Sequence, residues 1–122
     1  MTKRLGNLAA ACSVAVMMFA AAPATAHAAL VGASPAADTT VAAPDAIELK
    51  FSEGLATKFS GLELTMDGKK IGLAAAAFDA KNVAMTVAPK APLEPGVYKV
   101  SWHAVASDDL HKTEGTFSFT VK

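Results

Sequence analysis

From residue 47 to the last residue the chain repeatedly alternates apolar with polar side chains, and a period of two permits strands with one oily face and excludes long helices. Ile47, Leu49 and Phe51 alternate with Glu48 and Lys50; Leu62, Leu64 and Met66 with Glu63 and Thr65; Val83, Met85 and Val87 with Ala84 and Thr86. Tyr98, Val100, Trp102 and Ala104 form a longer run, and Phe117, Phe119 and Val121 close the chain. Turn residues punctuate the intervals: Ser34-Pro35, Ala43-Pro44-Asp45, Asp67-Gly68, Ala88-Pro89 and Glu94-Pro95-Gly96. Each either fixes φ or tolerates a positive φ where the chain must reverse. Asp67-Gly68 ahead of Lys69-Lys70-Ile71 reads as a hairpin. Short strands at this spacing predict an all-β fold, an antiparallel β-sandwich of about seven strands with Trp102, Phe51, Phe117 and Phe119 in the core. Ala74 to Ala77 favours helix in isolation, but four residues cannot offset helix nucleation, so a loop or a single turn is expected there.

The first residues follow a different logic. Met1-Thr2-Lys3-Arg4 is a positive n-region, Leu5 to Ala22 is uncharged and mostly apolar, and Ala24-Thr25-Ala26 offers the small residues a signal peptidase needs. Residues 1–26 are therefore expected to be a cleaved secretory signal, leaving residues 27–122 as one domain with one core. Cys12 does not read as a lipoprotein cysteine, because Ala9 stands where a leucine is expected, so it leaves with the leader. The remainder has no cysteine, which excludes cross-links, thiolate metal sites and cysteine nucleophiles. Without Lys3 and Arg4, nine lysines face eleven acidic residues, and no basic face argues for nucleic acid.

That cut would make His27 the first residue. A free N-terminal histidine offers its α-amine and its Nδ1 to the same ion, closing a six-membered chelate ring that no internal histidine can form. His111 follows Asp109 by two residues, and in extended chain that spacing puts carboxylate and imidazole on the same side. Three nitrogens and one oxygen suit a tetragonal copper(II) centre, with zinc held less tightly. The amine, with an ordinary pKa of roughly 7.7–8.0, must lose its proton to coordinate, so affinity should fall on acidification.

Plainer readings exist for each residue. A histidine after a cleavage site and an Asp-x-His triplet both arise by chance. His103 is out of phase with Val100 and Trp102 and reads as a solvated histidine; Asp108 points away from Asp109 in extended chain and reads as turn or surface charge. Glu53 is in phase with the apolar face of Ile47 to Phe51 and needs a partner, which makes it a candidate acceptor for the His27 amine or an imidazole. Met66 and Met85 lie at strand spacing and read as core rather than as soft-metal ligands.

Several segments together resemble the periplasmic copper-resistance protein C (CopC) family over nearly all of residues 27–122. They are His27-Ala28-Ala29-Leu30-Val31 with Ser34-Pro35, Ile47 to Glu53, Leu93 to Trp102, and the close Ser107-Asp108-Asp109-Leu110-His111 followed by Gly115-Thr116-Phe117-Ser118-Phe119. The resemblance implies a Greek-key sandwich, immunoglobulin-like or cupredoxin-like, that carries copper in the periplasm, often alongside an inner-membrane copper transporter. It places the copper(II) ligands on His27, Asp109 and His111, with Glu53 at an acidic position close by. Some members carry a methionine-rich copper(I) segment between the middle strands, whereas Lys69 to Lys81 here has neither methionine nor histidine, so the copper(II)-only kind is expected. His103 stands where the family is expected to carry a basic residue.

Three function classes follow. A soluble, monomeric copper(II) carrier or buffer without turnover is the first. The second is a copper-dependent oxidative enzyme using the same N-terminal chelate, against which Asp109 adds an anionic ligand that hinders copper reduction. The third is a structural sandwich with an accidental histidine, which copper would not stabilise against unfolding.

Overall fold

The computed structural model describes residues 27–122; the expected leader, residues 1–26, lies outside the described residues. Two sheets face each other. One is ordered β1 (Leu30–Ser34), β3 (Ile47–Phe51), β7 (Ala84–Val87), β6 (Ala77–Phe78); the other β2 (Thr40–Val41), β9 (Lys112–Val121), β8 (Gly96–Val105), β4 (Gly61–Met66), β5 (Lys69–Lys70). The chain crosses between the sheets repeatedly, so sequence neighbours such as β3 and β4 belong to different layers.

The period-two faces predicted from sequence are the inner faces of these sheets. Ile47, Leu49 and Phe51 from β3, Met85 and Val87 from β7, Leu64 from β4, Tyr98, Val100 and Ala104 from β8, and Phe119 and Val121 from β9 are all buried, and among the described residues no polar or charged side chain is. Tyr98 stacks on its cross-strand partner Phe119 and sends its hydroxyl back to the Glu94 carbonyl at 2.6 Å, a tyrosine corner that closes the bend before β8. Asp67 and Gly68, at φ 53° and 79°, form the expected two-residue hairpin between β4 and β5.

Four expectations change in detail. Among the described residues nine strands replace about seven, because β2 and β6 are two residues long and too short to show any alternation. The sandwich is not wholly antiparallel, since β2 runs parallel to β9. Ala74 to Ala76 is loop as expected, but Ala77 opens β6, and among the described residues the one helical element is a 3₁₀ turn at Thr57–Phe59. Trp102 and Phe117 are half-buried against the core rather than within it. The indole stands edge-on to Phe51, with ring centroids 5.3 Å apart, and lies over Gly115, its cross-strand partner on β9. A Cβ at Gly115 would fall 2.7 Å from Trp102 Cζ2, so only glycine leaves room for the ring.

Candidate metal centre

β8 and β9 form a long hairpin joined by a turn at residues 106–111. The turn is held by Leu110 N–H to Ala106 O at 2.9 Å and Ala106 N–H to His111 O at 3.0 Å. Asp109 Oδ1 accepts the His111 N–H at 2.9 Å, which braces the carboxylate against the imidazole-bearing residue. Leu110, between them, sits in the left-handed region at φ 59°, so this segment is a turn and not extended chain. The expected pairing of Asp109 with His111 thus arises by another route: a local side-chain-to-backbone bond rather than strand alternation.

The N-terminal segment arrives at the same end. Ala28 is fully buried, β1 begins at Leu30, and Leu30 pairs with Phe51. This route carries His27 to His111, and the two exposed imidazoles stack with centroids 3.7 Å apart and planes inclined by 11°. Two predicted ligand side chains separated by most of the chain therefore meet.

The stack is not yet a coordination geometry. Imidazole lone pairs lie in the ring plane, so two nearly parallel rings in face contact cannot both aim a nitrogen at one ion between them. Among the described residues no group of three or more His, Cys, Asp or Glu side chains is gathered tightly enough to hold a metal as it stands. Both rings are exposed, and rotation about their side-chain bonds frees them to open around an ion. The chemistry of the donors fits copper(II): two imidazoles, a carboxylate tied to the backbone N–H of His111, and the amine that processing at Ala26 would expose.

Of the remaining candidates, Glu53 lies half-buried in the bend that follows β3 and takes part in no ion pair among the described residues. Asp108 is exposed in the turn. His103 is half-buried on the outer face of the five-stranded sheet, its ring over Gly61, where a Cβ would come 3.3 Å from Cε1. Met85 is core, and Met66 packs half-buried against it. Two residues that sequence reasoning left without a role also belong here. Thr113 Oγ1 donates to Ala28 O at 2.7 Å, and Ser52 binds Ala29 through both its hydroxyl and its backbone N–H.

Fold and site together define a class: small β-sandwich proteins that present a histidine pair where the N-terminal segment meets the turn of a long hairpin. A model of the CopC domain matches residues 30–122. Copper resistance protein C of Escherichia coli is 43% identical over 116 residues, covering 88% of this chain and 90% of that protein. The protein of the same name from Pseudomonas syringae pv. tomato is 41% identical over 113 residues, covering 86% and 88%. Among solved structures, PcoC, a methionine-rich copper resistance protein from E. coli, superimposes with a TM-score of 0.72 at 42% identity, covering 79% of this chain and 99% of that one. CopC from Methylosinus trichosporium OB3b gives 0.71 at 33% identity, covering 79% and 94%. The chain belongs to the CopC family.

Proposed function

We propose that the protein, once processed to begin at His27, is a periplasmic copper(II) carrier or buffer serving copper homeostasis and resistance. It binds one ion per chain through the His27 amine and imidazole, Asp109 and His111, and performs no turnover. The observation that carries this reading is the contact of the His27 and His111 rings at 3.7 Å, which brings the future N-terminus to the far hairpin. The names of its relatives, copper resistance proteins, support copper as the cargo. Glu53 is assigned to the surroundings of the amine rather than to the ion, and an inner-membrane copper transporter is the partner that such a carrier would serve.

Copper loading has to part the stacked rings, so the ion exchanges an imidazole–imidazole contact for two metal–nitrogen bonds. The anionic Asp109 ligand favours copper(II) over copper(I), which suits holding the ion and disfavours the reduction that oxygen activation requires.

The test is copper(II) titration followed by electron paramagnetic resonance on protein beginning at His27, beside protein with one alanine added before it. The first should bind one copper with nitrogen hyperfine structure. The second, its amine turned into an amide, should lose at least about tenfold in affinity, the equivalent of about 1.4 kcal/mol. Equal affinity in the two proteins refutes the N-terminal chelate. A reductant-driven assay on chitin or cellulose discriminates the oxidative-enzyme alternative, and product formation there would overturn the carrier reading.

A further inference from the structure

A first residue has covalent support on one side only, and chain ends fray unless something ties them down. If His27 is a ligand, what holds it still matters as much as its donors. The tie lies one residue further in. The Ala28 methyl is fully buried in the core, and its carbonyl accepts the Thr113 hydroxyl at 2.7 Å. The next residue is gripped twice: Ala29 N–H donates to Ser52 Oγ at 2.9 Å, and Ala29 O accepts Ser52 N–H at 2.9 Å.

Thr113 stands on β9 opposite Ala104, two residues beyond His111. Its single hydroxyl proton has two carbonyls in reach, Ala28 O at 2.7 Å and Ala104 O at 3.4 Å, and the shorter contact has the geometry of a full hydrogen bond. One side chain thus joins the strand that follows the turn carrying one imidazole to the segment that carries the other.

We propose that Thr113 and Ser52 are positioning residues for the N-terminal copper ligand: they fix the Ala28–Ala29 peptide so that only the His27 side chain and its amine are left to order when the ion binds. The inference rests on the copper(II) reading above and goes beyond it, since neither residue touches the metal. Partners bonded to the ligands themselves are worth about 10–100-fold in metal affinity; Thr113 and Ser52 act one residue further out, at the low end of that range, by ordering a ligand in advance and so removing part of the entropic cost of binding.

The experiment uses protein beginning at His27 and its alanine-extended form, each with Thr113 wild type, Thr113→Val or Thr113→Ser. Valine keeps the shape of threonine without the hydroxyl; serine keeps the hydroxyl. In the unextended protein Thr113→Val should weaken copper(II) binding by about tenfold and alter the nitrogen hyperfine pattern, and Thr113→Ser should restore both. In the extended protein, where the amine no longer ligates, Thr113→Val should change affinity little. A loss confined to stability, without metal dependence, would move both forms alike. Should Thr113→Val fail to fold, Ser52→Ala carries the same contrast. Unchanged affinity and spectrum in the unextended Thr113→Val protein, or an equal loss in both forms, overturns the positioning role. If unextended wild-type protein takes up no copper, the copper reading falls first and this inference with it.

Discussion

Replacing Gly115 by alanine should destabilise the sandwich, although the same change in an ordinary strand does the opposite. A glycine inside a strand costs roughly 0.5–1 kcal/mol relative to alanine, because it gives up more backbone freedom on folding. Here the new Cβ would lie 2.7, 3.0 and 3.2 Å from Trp102 Cζ2, Cε2 and Nε1. These atoms belong to a rigid ring and cannot fold aside like the end of a lysine. Moving the ring disturbs its edge contact with Phe51, whose neighbour Ser52 grips the N-terminal segment. Overpacking of this kind costs about 1–3 kcal/mol. Because Trp102 is only half-buried and has some room to shift, the lower half of that range applies. The net loss is then about 1 kcal/mol, a fall in Tm of about 4–8 °C for a domain of this size. Urea unfolding followed by circular dichroism measures it, and emission from Trp102, the only tryptophan in the chain, reports the ring displacement directly. The decisive comparison is the same substitution in a Trp102→Leu background, where the clash is gone and Gly115→Ala should become neutral or stabilising. Equal effects in the two backgrounds would refute the steric argument.

Tyr98→Phe removes the hydroxyl bond to Glu94 O and should cost about 1 kcal/mol, read as a lower urea midpoint at unchanged slope. Asp109→Asn retains an oxygen to accept the His111 N–H but removes the charge, so it should weaken copper(II) binding while leaving Tm nearly unchanged. Asp109→Ala should lower both, and a matching Tm for the two variants would sink the turn-bracing role of the carboxylate. Asp79 accepts N–H bonds from Ala84 and Val83, and these, the Ala84 bond foremost, hold its carboxyl below the ordinary 3.8. A depressed folded-state pKa gives stability that is complete above the unfolded value and is lost as the pH falls through the folded one. The Tm deficit of Asp79→Asn should therefore be present at neutral pH and shrink in acid below about pH 4; a deficit independent of pH argues against the charged acceptor.

Much of the sandwich was legible because its inner faces repeat every second residue: Ile47–Phe51 is a strand with the bounds its alternation suggests, and Tyr98 to Ala104 lies wholly within β8. Elements without that repetition were not. β1 reads Leu-Val-Gly-Ala-Ser and contains a bulge between Leu30 and Gly32, and β9 starts at Lys112, ahead of its apolar run, because pairing with β8 rather than its own composition extends it. At the candidate site the residue types were readable and the backbone was not. Asp109 and His111 stand close through a left-handed Leu110, a conformation that a leucine seldom adopts and that no local pattern announces. The meeting of His27 with His111 was an expectation of donor chemistry and of resemblance, and tertiary structure supplies the contact. Thr113 looked like any strand threonine, since nothing nearby in sequence reveals an acceptor 85 positions away.

The long last strand also separates the two ends of the described chain. β9 leaves the hairpin turn at Lys112 and runs ten residues to Val121, a span of roughly 30 Å at about 3.3 Å per residue. A fluorophore, resin linkage or fusion partner attached after Lys122 would thus sit at the opposite pole from the imidazole pair. Immobilised through that terminus, every molecule would turn its histidine end toward the solution, the orientation required to watch an ion pass from one protein to the next.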